Sequence, residues 1–271
     1  MIKFLFWTSS FITLLFWPTS FWQANSKSWI IFALASAVLG IDWLLTLYKV
    51  KYRQFIYLLL PLIHPVYLMF PIFATIAYAK DLKKVSLSIY IFLLIAVSAI
   101  SYKAFYAYSI FTPDPLAFDT LSKKISLVPS RTLARVFENK TTIFQEKYKA
   151  NIFSSLDLNN YFFSNHPREI GGNQNLLKFP YFGIIPFLVG LYFIAENKNK
   201  KWILSTLLLS VFSVAFINNQ DRFDSILYFP ILLITLYGLR KISNSKTLFL
   251  LFSVFFIPIS IIELSKILIL K

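Results

Sequence analysis

Long apolar runs alternate with short polar stretches along almost the whole chain. A helix that crosses a bilayer needs about 20 mainly apolar residues. The candidate spans are Phe4–Phe21, Trp29–Tyr48, Phe55–Ala79, Val85–Tyr102, Phe179–Ala195, Trp202–Ile217, Ile226–Leu239 and Leu248–Leu268. Ile226–Leu239 is short, and we expect its helix to begin nearer Arg222. The pattern predicts an all-α, polytopic transmembrane helix bundle of about eight spans.

The third run, Phe55–Ala79, differs from the others because it holds one histidine and three prolines: Pro61, His64, Pro65 and Pro71. Each proline removes a helix hydrogen bond. Basic loops flank the run at 49–53 and 80–84, and a single crossing would put them on opposite sides of the membrane. A re-entrant hairpin would put both inside, provided that its backbone is buried in protein or lines a wet cavity. We predict a hairpin or a strongly broken helix, with His64 facing protein.

Lysine and arginine in the short loops predict the orientation of the spans. The loops 196–201 and 240–246 are basic and should be cytoplasmic, whereas 218–222 is nearly neutral and should be outside. The long polar segment 103–178 then also lies outside. This gives three regions: an N-terminal transmembrane bundle (1–102), an extracytoplasmic or interfacial segment (103–178) and a C-terminal transmembrane bundle (179–271).

The external segment is predicted to contain amphipathic interfacial helices. Residues 112–119 have two prolines and are expected to be extended, whereas 128–153 is expected to be helical, with a break near Thr141-Thr142. Apolar positions of this helix fall on one face and basic positions on the other. Two placements remain open. Such a helix can lie in the plane of the head groups, or it can pack on the protein's own outer surface.

Composition supports a bacterial-type inner-membrane protein. Hydrophobic residues make up 57% of the 271 residues, and charged residues make up only 14%. A chain of this composition has more apolar surface than a soluble domain can bury. The net charge of +15 resides mostly in loops that meet anionic head groups, so nucleic-acid binding is not expected. With no Cys and two His, no cofactor is expected, and a divalent metal has no support. The first run is expected to be a span rather than a cleaved signal peptide.

The stretch "NHPREIGGNQN", at the mouth of the fifth span, collects the residues best suited to bind an anion. Arg168 carries a planar fork of donors that fits phosphate or carboxylate, and His166 and Glu169 are ionisable neighbours. Arg222, at the start of the seventh span, is predicted to lie on the same external side. The alternative is a structural turn, in which Arg168 reaches the head groups and pairs with Glu169, while Arg222 is an interfacial anchor.

External carboxylates are the candidate general bases, namely Asp114, Asp119 and Asp157. Taken alone, each of them is more often a cap or turn residue. A further acid, Asp42, lies within the second span, where an unpaired carboxylate costs several kcal/mol. We therefore expect Asp42 to pair with the basic loop 49–53 or with His64.

The stretches "FSSLDLNNYFFSNHPRE", "KFPYFGIIPFLVGLYFI" and "NNQDRFDSILYFPILLITLYGL" resemble the C-terminal half of polytopic membrane glycosyltransferases of superfamily C, which are mannosyltransferase-like. Arg222, Pro230 and Gly238-Leu239 match a pattern of a late span in that family. The resemblance covers 153–239 and implies a polyprenyl-phosphate sugar donor that is used at the external face.

The chain departs from that family in its first external loop, where the family has its catalytic acid. Residues 18–28 contain no Asp or Glu, so the resemblance supplies no catalytic residue. The expected function is transfer of a lipid-linked sugar, with an external carboxylate as base and the two arginines on the departing phosphate. The alternative is a non-catalytic membrane subunit that binds a lipid or a membrane protein partner through its external segment.

Overall fold

The computed structural model describes residues 2–24, 29–112, 115–127, 130, 139–163, 178–218 and 223–269. Within these ranges the protein is helical and has no strand; Ser109 and Ile217 form an isolated antiparallel bridge. The all-α prediction is therefore confirmed for this part of the chain. The α-helices are α1 (Ile2–Ala24), α2 (Trp29–Leu47), α3 (Leu59–Ile63), α4 (Met69–Tyr78), α5 (Lys84–Tyr108), α6 (Pro115–Ser126), α7 (Lys140–Leu156), α8 (Asn159–Phe162), α9 (Ile184–Tyr192), α10 (Lys200–Val214), α11 (Ser225–Ser243) and α12 (Lys246–Ile269).

Four helices of the described residues, α2, α5, α11 and α12, are long and apolar enough to cross a membrane. This agrees with the membrane class that composition predicts. The remaining predicted spans are also helical. α1 covers the first run, α10 covers most of the sixth, and the fifth run gives a 3₁₀ turn at Tyr181–Gly183 followed by the short helix α9. The total of about eight spans stays a prediction.

The chain divides into two compact units. The first unit holds residues 1–57, 157–210 and 225–271, and the second holds 58–156 and 211–224. In the first unit α1 packs along α12, where Ile12, Phe16, Phe256 and Ile267 form a buried apolar cluster. This packing buries one stripe of each helix and leaves residues such as Phe4 and Val254 exposed, as expected for helices that also face lipid.

In the first unit α9 and α11 cross in close contact at two glycines. A Cβ atom built on Gly190 would lie 2.0 Å from the backbone oxygen of Ile234, and one on Gly238 would lie 1.7 Å from that of Pro186. Both distances are far inside van der Waals contact, so only glycine fits at either position. Small residues of this kind let two membrane helices bring their backbones together.

In the second unit the proline-rich run is broken at His64, as predicted. α3 ends there, His64 is extended (φ −153°, ψ 133°), and the chain resumes as a 3₁₀ turn at Pro65–Leu68 before α4. The His64 ring stacks on Phe223 at 5.3 Å and lies 5.4 Å from the ring of Tyr108, so it faces protein. Its Nδ1 accepts a hydrogen bond from the Val66 amide.

Contacts with α5 favour the re-entrant path for this run. Ser101 donates to the carbonyl of Pro61 (3.5 Å), and Tyr90 donates to that of Pro71 (3.4 Å). His64 lies between these two prolines in sequence, yet its ring meets Tyr108, the last residue of α5. The chain therefore reaches the end of α5 at His64, whereas Pro61 lies beside Ser101 and Pro71 lies beside Tyr90, closer to the start of that helix. This path is the one expected for a hairpin with His64 at its tip.

Two parts of the external segment differ from the sequence prediction. Residues 115–119, expected to be extended, begin α6; a proline fits the first helical position because its missing N–H has no partner there. The later helix begins at Lys140, with the Asn139 side chain accepting bonds from the amides of Thr141 and Thr142. The expected break near these threonines is therefore the start of α7. Most of its predicted N-terminal part lies outside the described residues.

α7 packs on its own unit. The rings of Tyr148 and Phe216 lie 4.6 Å apart, and burial raises the pKa of the Tyr148 phenol. The Asn151 side chain donates to the carbonyls of Ala215 and Ile217, each at 3.0 Å. Of the two placements left open for this helix, packing on the protein's own surface describes α7.

Candidate functional site

The first unit brings the two ends of the polar stretch around "NHPREIGGNQN" together. The amide of Phe179 donates to the carbonyl of Tyr161 at 2.8 Å. The rings of Phe162 and Phe179 also stack, with centroids 5.5 Å apart. Residues 164–177 lie outside the described residues, but both flanks of this stretch are tied to one place in the fold.

That place is an aromatic cluster centred on Trp17, near the end of α1. Four rings surround the indole at centroid distances of 5.4–6.2 Å: Phe179, Tyr228, Tyr161 and Phe32. All five side chains are buried. Edge-to-face and tilted pairs such as these are favourable because the positive edge of one ring meets the negative face of another. We call this set the Trp17 cluster.

A lysine ammonium lies on the Trp17 cluster. The Nζ atom of Lys178 is 5.4 Å from the Trp17 centroid and 5.5 Å from that of Tyr161. At this distance the ring quadrupoles attract the cation, by about 0.5–2 kcal/mol depending on its hydration. The rings hold the ammonium of Lys178 in place beside the polar stretch. Its side chain is half-buried.

The cluster is well anchored. The Tyr228 hydroxyl donates to the carbonyl of Leu14 at 2.6 Å and so ties α11 to α1. On the neighbouring turn, the amide of Tyr181 donates to Oε2 of Glu263 on α12 at 3.3 Å. The ring of Tyr181 also packs against Phe163 at 5.3 Å. This end of the first unit therefore combines a fixed cation, a carboxylate and several aromatic rings.

Two of the predicted carboxylates have local partners. Asp119 forms an exposed ion pair with Lys123 one turn on (2.8 Å), and Oδ1 of Asp157 accepts a hydrogen bond from the amide of Asn159 (3.0 Å) at the start of α8. The Asp157 bond is the cap or turn role that the sequence left as an alternative, whereas the ion pair of Asp119 was not predicted. Five predicted site residues lie outside the described residues, so their roles stay predictions: Asp114, His166, Arg168, Glu169 and Arg222.

Asp42 is the centre of a second polar cluster in the first unit and is fully buried. Nη1 of Arg53 bridges its two oxygens at 2.9 and 3.0 Å. The hydroxyl of Tyr57 and the indole nitrogen of Trp202 each donate to Oδ2 at 2.5 Å. The expected pairing with the loop 49–53 is therefore confirmed. Because its oxygens are occupied by these donors, we interpret the cluster as a structural link between α2, the Arg53–Leu58 turn and α10.

Sequence reasoning missed Lys178, Trp17 and Trp202 as site residues. In the sequence, Lys178 is one of many lysines in loops, and Trp17 is one of many aromatic residues. Their contact becomes evident only in the folded protein. No group of three or more His, Asp or Glu side chains in the described ranges could hold a metal ion.

Comparison with known proteins gives no relative. No family model, no curated protein and no solved structure matches the chain.

Proposed function

We propose that this protein is an integral membrane protein that binds a phosphate-bearing amphiphile beside the Trp17 cluster. The observation that carries the proposal is the ammonium of Lys178 held over Trp17 and Tyr161. Lysine is a common phosphate ligand in proteins, acting as a compact point charge. The same place anchors the stretch with Arg168, whose guanidinium is suited to phosphate. The resemblance to superfamily C suggests a polyprenyl-phosphate sugar as the amphiphile and glycosyl transfer as the activity.

The proposed mechanism needs charge stabilisation more than covalent chemistry. When a sugar leaves polyprenyl phosphate, negative charge develops on the phosphate oxygens, and fixed cations lower the energy of that state. Lys178 is positioned before the reaction by aromatic side chains that are themselves buried. Such preorganisation avoids the cost of reorienting solvent during the reaction.

The proposal is tested by binding in nanodiscs of neutral lipid, with a short-chain polyprenyl phosphate as the probe. We expect Lys178→Gln to weaken binding about tenfold, equivalent to about 1.4 kcal/mol, and Lys178→Arg to retain most of it. Unphosphorylated polyprenol should bind weakly to all variants. Affinity is read by native mass spectrometry or by a fluorescent analogue of the probe.

Lys241→Gln is the matched control. The ammonium of Lys241 also lies over two rings, 5.0 Å from Phe193 and 5.6 Å from Tyr237, and it pairs with Glu196 near the opposite end of α11 from Tyr228. We expect this variant to bind the probe like the wild type. Equal weakening by both substitutions would indicate a non-specific effect of charge and contradict the proposal.

The proposal also requires the predicted topology, in which 103–178 is outside the cell membrane. The chain has no cysteine, so single cysteines can be placed at will. In intact cells, Lys149→Cys, on the exposed face of α7, should react with an impermeant thiol reagent. Lys246→Cys, in a basic loop predicted to be cytoplasmic, should react only after permeabilisation. The reverse labelling pattern would refute the topology.

A non-catalytic membrane subunit is the second candidate. It is favoured by the local engagement of Asp119 and Asp157, which leaves no evident general base among the predicted carboxylates of the described residues. Incubation of the purified protein with a polyprenyl-phosphate hexose in a membrane extract distinguishes the two. Release of polyprenyl phosphate that depends on the protein supports the enzyme, whereas binding without turnover supports the subunit.

A further inference from the structure

The loop that follows α2 alternates apolar and basic side chains. All of them are exposed: Tyr48 (80%), Lys49, Val50 (42%), Lys51 and Tyr52 (38%). We call this segment the α2 loop. α2 is long and apolar enough to cross a membrane, so the loop is expected at the membrane surface. It lies at the opposite end of α2 from Phe32, which belongs to the Trp17 cluster, and is therefore a separate place in the fold.

The backbone of the α2 loop is held in a strained shape. Lys49 and Tyr52 have φ angles of 52° and 63°, a left-handed region that residues other than glycine rarely adopt. The Val50 amide donates to the carbonyl of Leu45 (2.9 Å), and the Lys49 amide donates to that of Thr46 (3.1 Å). These two bonds form a Schellman motif, in which the position of Lys49 is usually glycine. Strain of this kind is found mostly at functional sites, so a binding role for the lysine side chain would explain it.

The buried carboxylate of Asp42 connects the end of the α2 loop with the start of α10. Arg53, directly after the loop, bonds to both oxygens of Asp42, and the indole of Trp202 donates to one of them. Lys201 precedes Trp202 and is exposed. It therefore lies at the same end of the first unit as the lysines of the α2 loop, although about 150 positions separate them in sequence.

This end of the first unit carries an excess of positive charge. Its two carboxylates already have cations as partners: Asp42 pairs with Arg53, and Glu196 pairs with Lys241 of the basic loop 240–246. In the part of the chain that the structure describes, no carboxylate forms an ion pair with the exposed lysines of the α2 loop or of the start of α10. These lysines are Lys49, Lys51, Lys198, Lys200 and Lys201.

Cations that alternate with exposed tyrosines at a membrane surface suit an anionic phospholipid. Basic residues beside a membrane attract anionic head groups. Tyrosine favours the interface, because its ring is apolar and its hydroxyl is polar. A free phosphate would engage only the lysines and would leave Tyr48, Val50 and Tyr52 in water. The alternation therefore favours a ligand that has both a phosphate and acyl chains.

We propose that the α2 loop and Lys201 form a binding site for one anionic phospholipid, with the lysines on its phosphate and the tyrosines beside them at the level of the head groups. The site is separate from the Trp17 cluster and does not depend on the proposed function. It also differs from the general attraction between basic loops and anionic lipid, because it requires one loop shape and exposed aromatic rings.

The test is native mass spectrometry of the protein released from nanodiscs that hold equal amounts of phosphatidylglycerol and phosphatidylcholine. The wild type should retain phosphatidylglycerol preferentially. A triple variant, Lys49→Gln with Lys51→Gln and Lys201→Gln, should reduce this retention about tenfold or more. Inorganic phosphate added at millimolar concentration should not displace the lipid. Retention that the triple variant does not change, or displacement by phosphate, would overturn the proposal.

The basic loop 80–84 provides the matched control. It contains no aromatic residue, and its three lysines are exposed. The variant Lys80→Gln with Lys83→Gln and Lys84→Gln removes the same charge and should retain phosphatidylglycerol like the wild type. An equal loss in both triple variants would indicate a general effect of charge and would refute a specific site.

Lys49→Gly separates lipid binding from folding. Glycine adopts a φ of 52° without strain, so the thermal midpoint of this variant should be unchanged or higher. Retention of phosphatidylglycerol should nevertheless fall several-fold, because the ammonium is lost. Unchanged retention in this variant would show that Lys49 does not bind the lipid and would contradict the proposed site.

Discussion

Replacing Gly238 with alanine is expected to destabilise the protein by about 3 kcal/mol or more, at the upper end of the usual cost of overpacking. The added methyl group would lie 1.7 Å from the backbone oxygen of Pro186, and backbone cannot move aside as a side chain can. α9 and α11 would have to separate along their contact. Gly190→Ala should have a comparable effect, because its methyl group would meet the backbone of Ile234 at 2.0 Å.

Gly40→Ala is the matched control for this prediction. Gly40 is also a helical glycine of the first unit, but its nearest neighbour is the ring of Phe229 at 3.3 Å, which can shift by a few tenths of an ångström. Alanine also favours a helix over glycine by up to about 1 kcal/mol. In a titration with denaturing detergent, Gly238→Ala and Gly190→Ala should unfold much more easily than the wild type. Gly40→Ala should have a stability close to that of the wild type. Equal stability of all three variants would contradict the close crossing.

Asp42→Asn is expected to cost about 3–5 kcal/mol, the range for removing one partner of a buried ion pair. The substitution leaves the guanidinium of Arg53, only 15% exposed, without its countercharge, and it weakens the bonds from Tyr57 and Trp202. The fluorescence of Trp202 should change as well, because its indole nitrogen loses a charged acceptor. The detergent titration used for the glycines measures the loss of stability.

Two comparisons isolate this ion pair. Adding Arg53→Met to Asp42→Asn should recover part of the lost stability, because the uncompensated charge is then gone. Asp119→Asn removes a partner from an ion pair with both side chains well exposed, and such pairs contribute at most about 1 kcal/mol. A loss for Asp42→Asn no larger than that for Asp119→Asn would show that the buried cluster contributes little.

Local pattern was enough to predict the helical class and several features within single runs. Apolar length predicted α2, α5 and α12, and the prolines around His64 predicted the break there, because a missing donor and a fixed φ act within a few residues. The pairing of Asp42 with the loop 49–53 was also predictable, since a carboxylate in a span needs a nearby partner.

Contacts between distant parts of the chain were not predictable in this way. Trp202 reaches Asp42 across 160 positions, and Gly190 finds Gly238 only because two helices cross at those points. Lys178 became a site candidate only when Trp17, from the first helix, was seen beneath its ammonium. The start of α6 was missed for a different reason: the two prolines suggested an extended chain, although proline is also favoured at the first position of a helix.

The most direct test of the central claim is photo-crosslinking with a polyprenyl phosphate that carries a photoactivatable group next to its phosphate. The labelled protein is digested, and the modified peptides are identified by mass spectrometry. The account predicts labelling of peptides that contain Trp17, Tyr161 or Lys178–Tyr181, reduced by Lys178→Gln and competed by unlabelled polyprenyl phosphate. The central claim would be contradicted by labelling that Lys178→Gln does not change and that is confined to other places. Such places are the exposed faces of long helices such as α5, or the Lys241 end of α11.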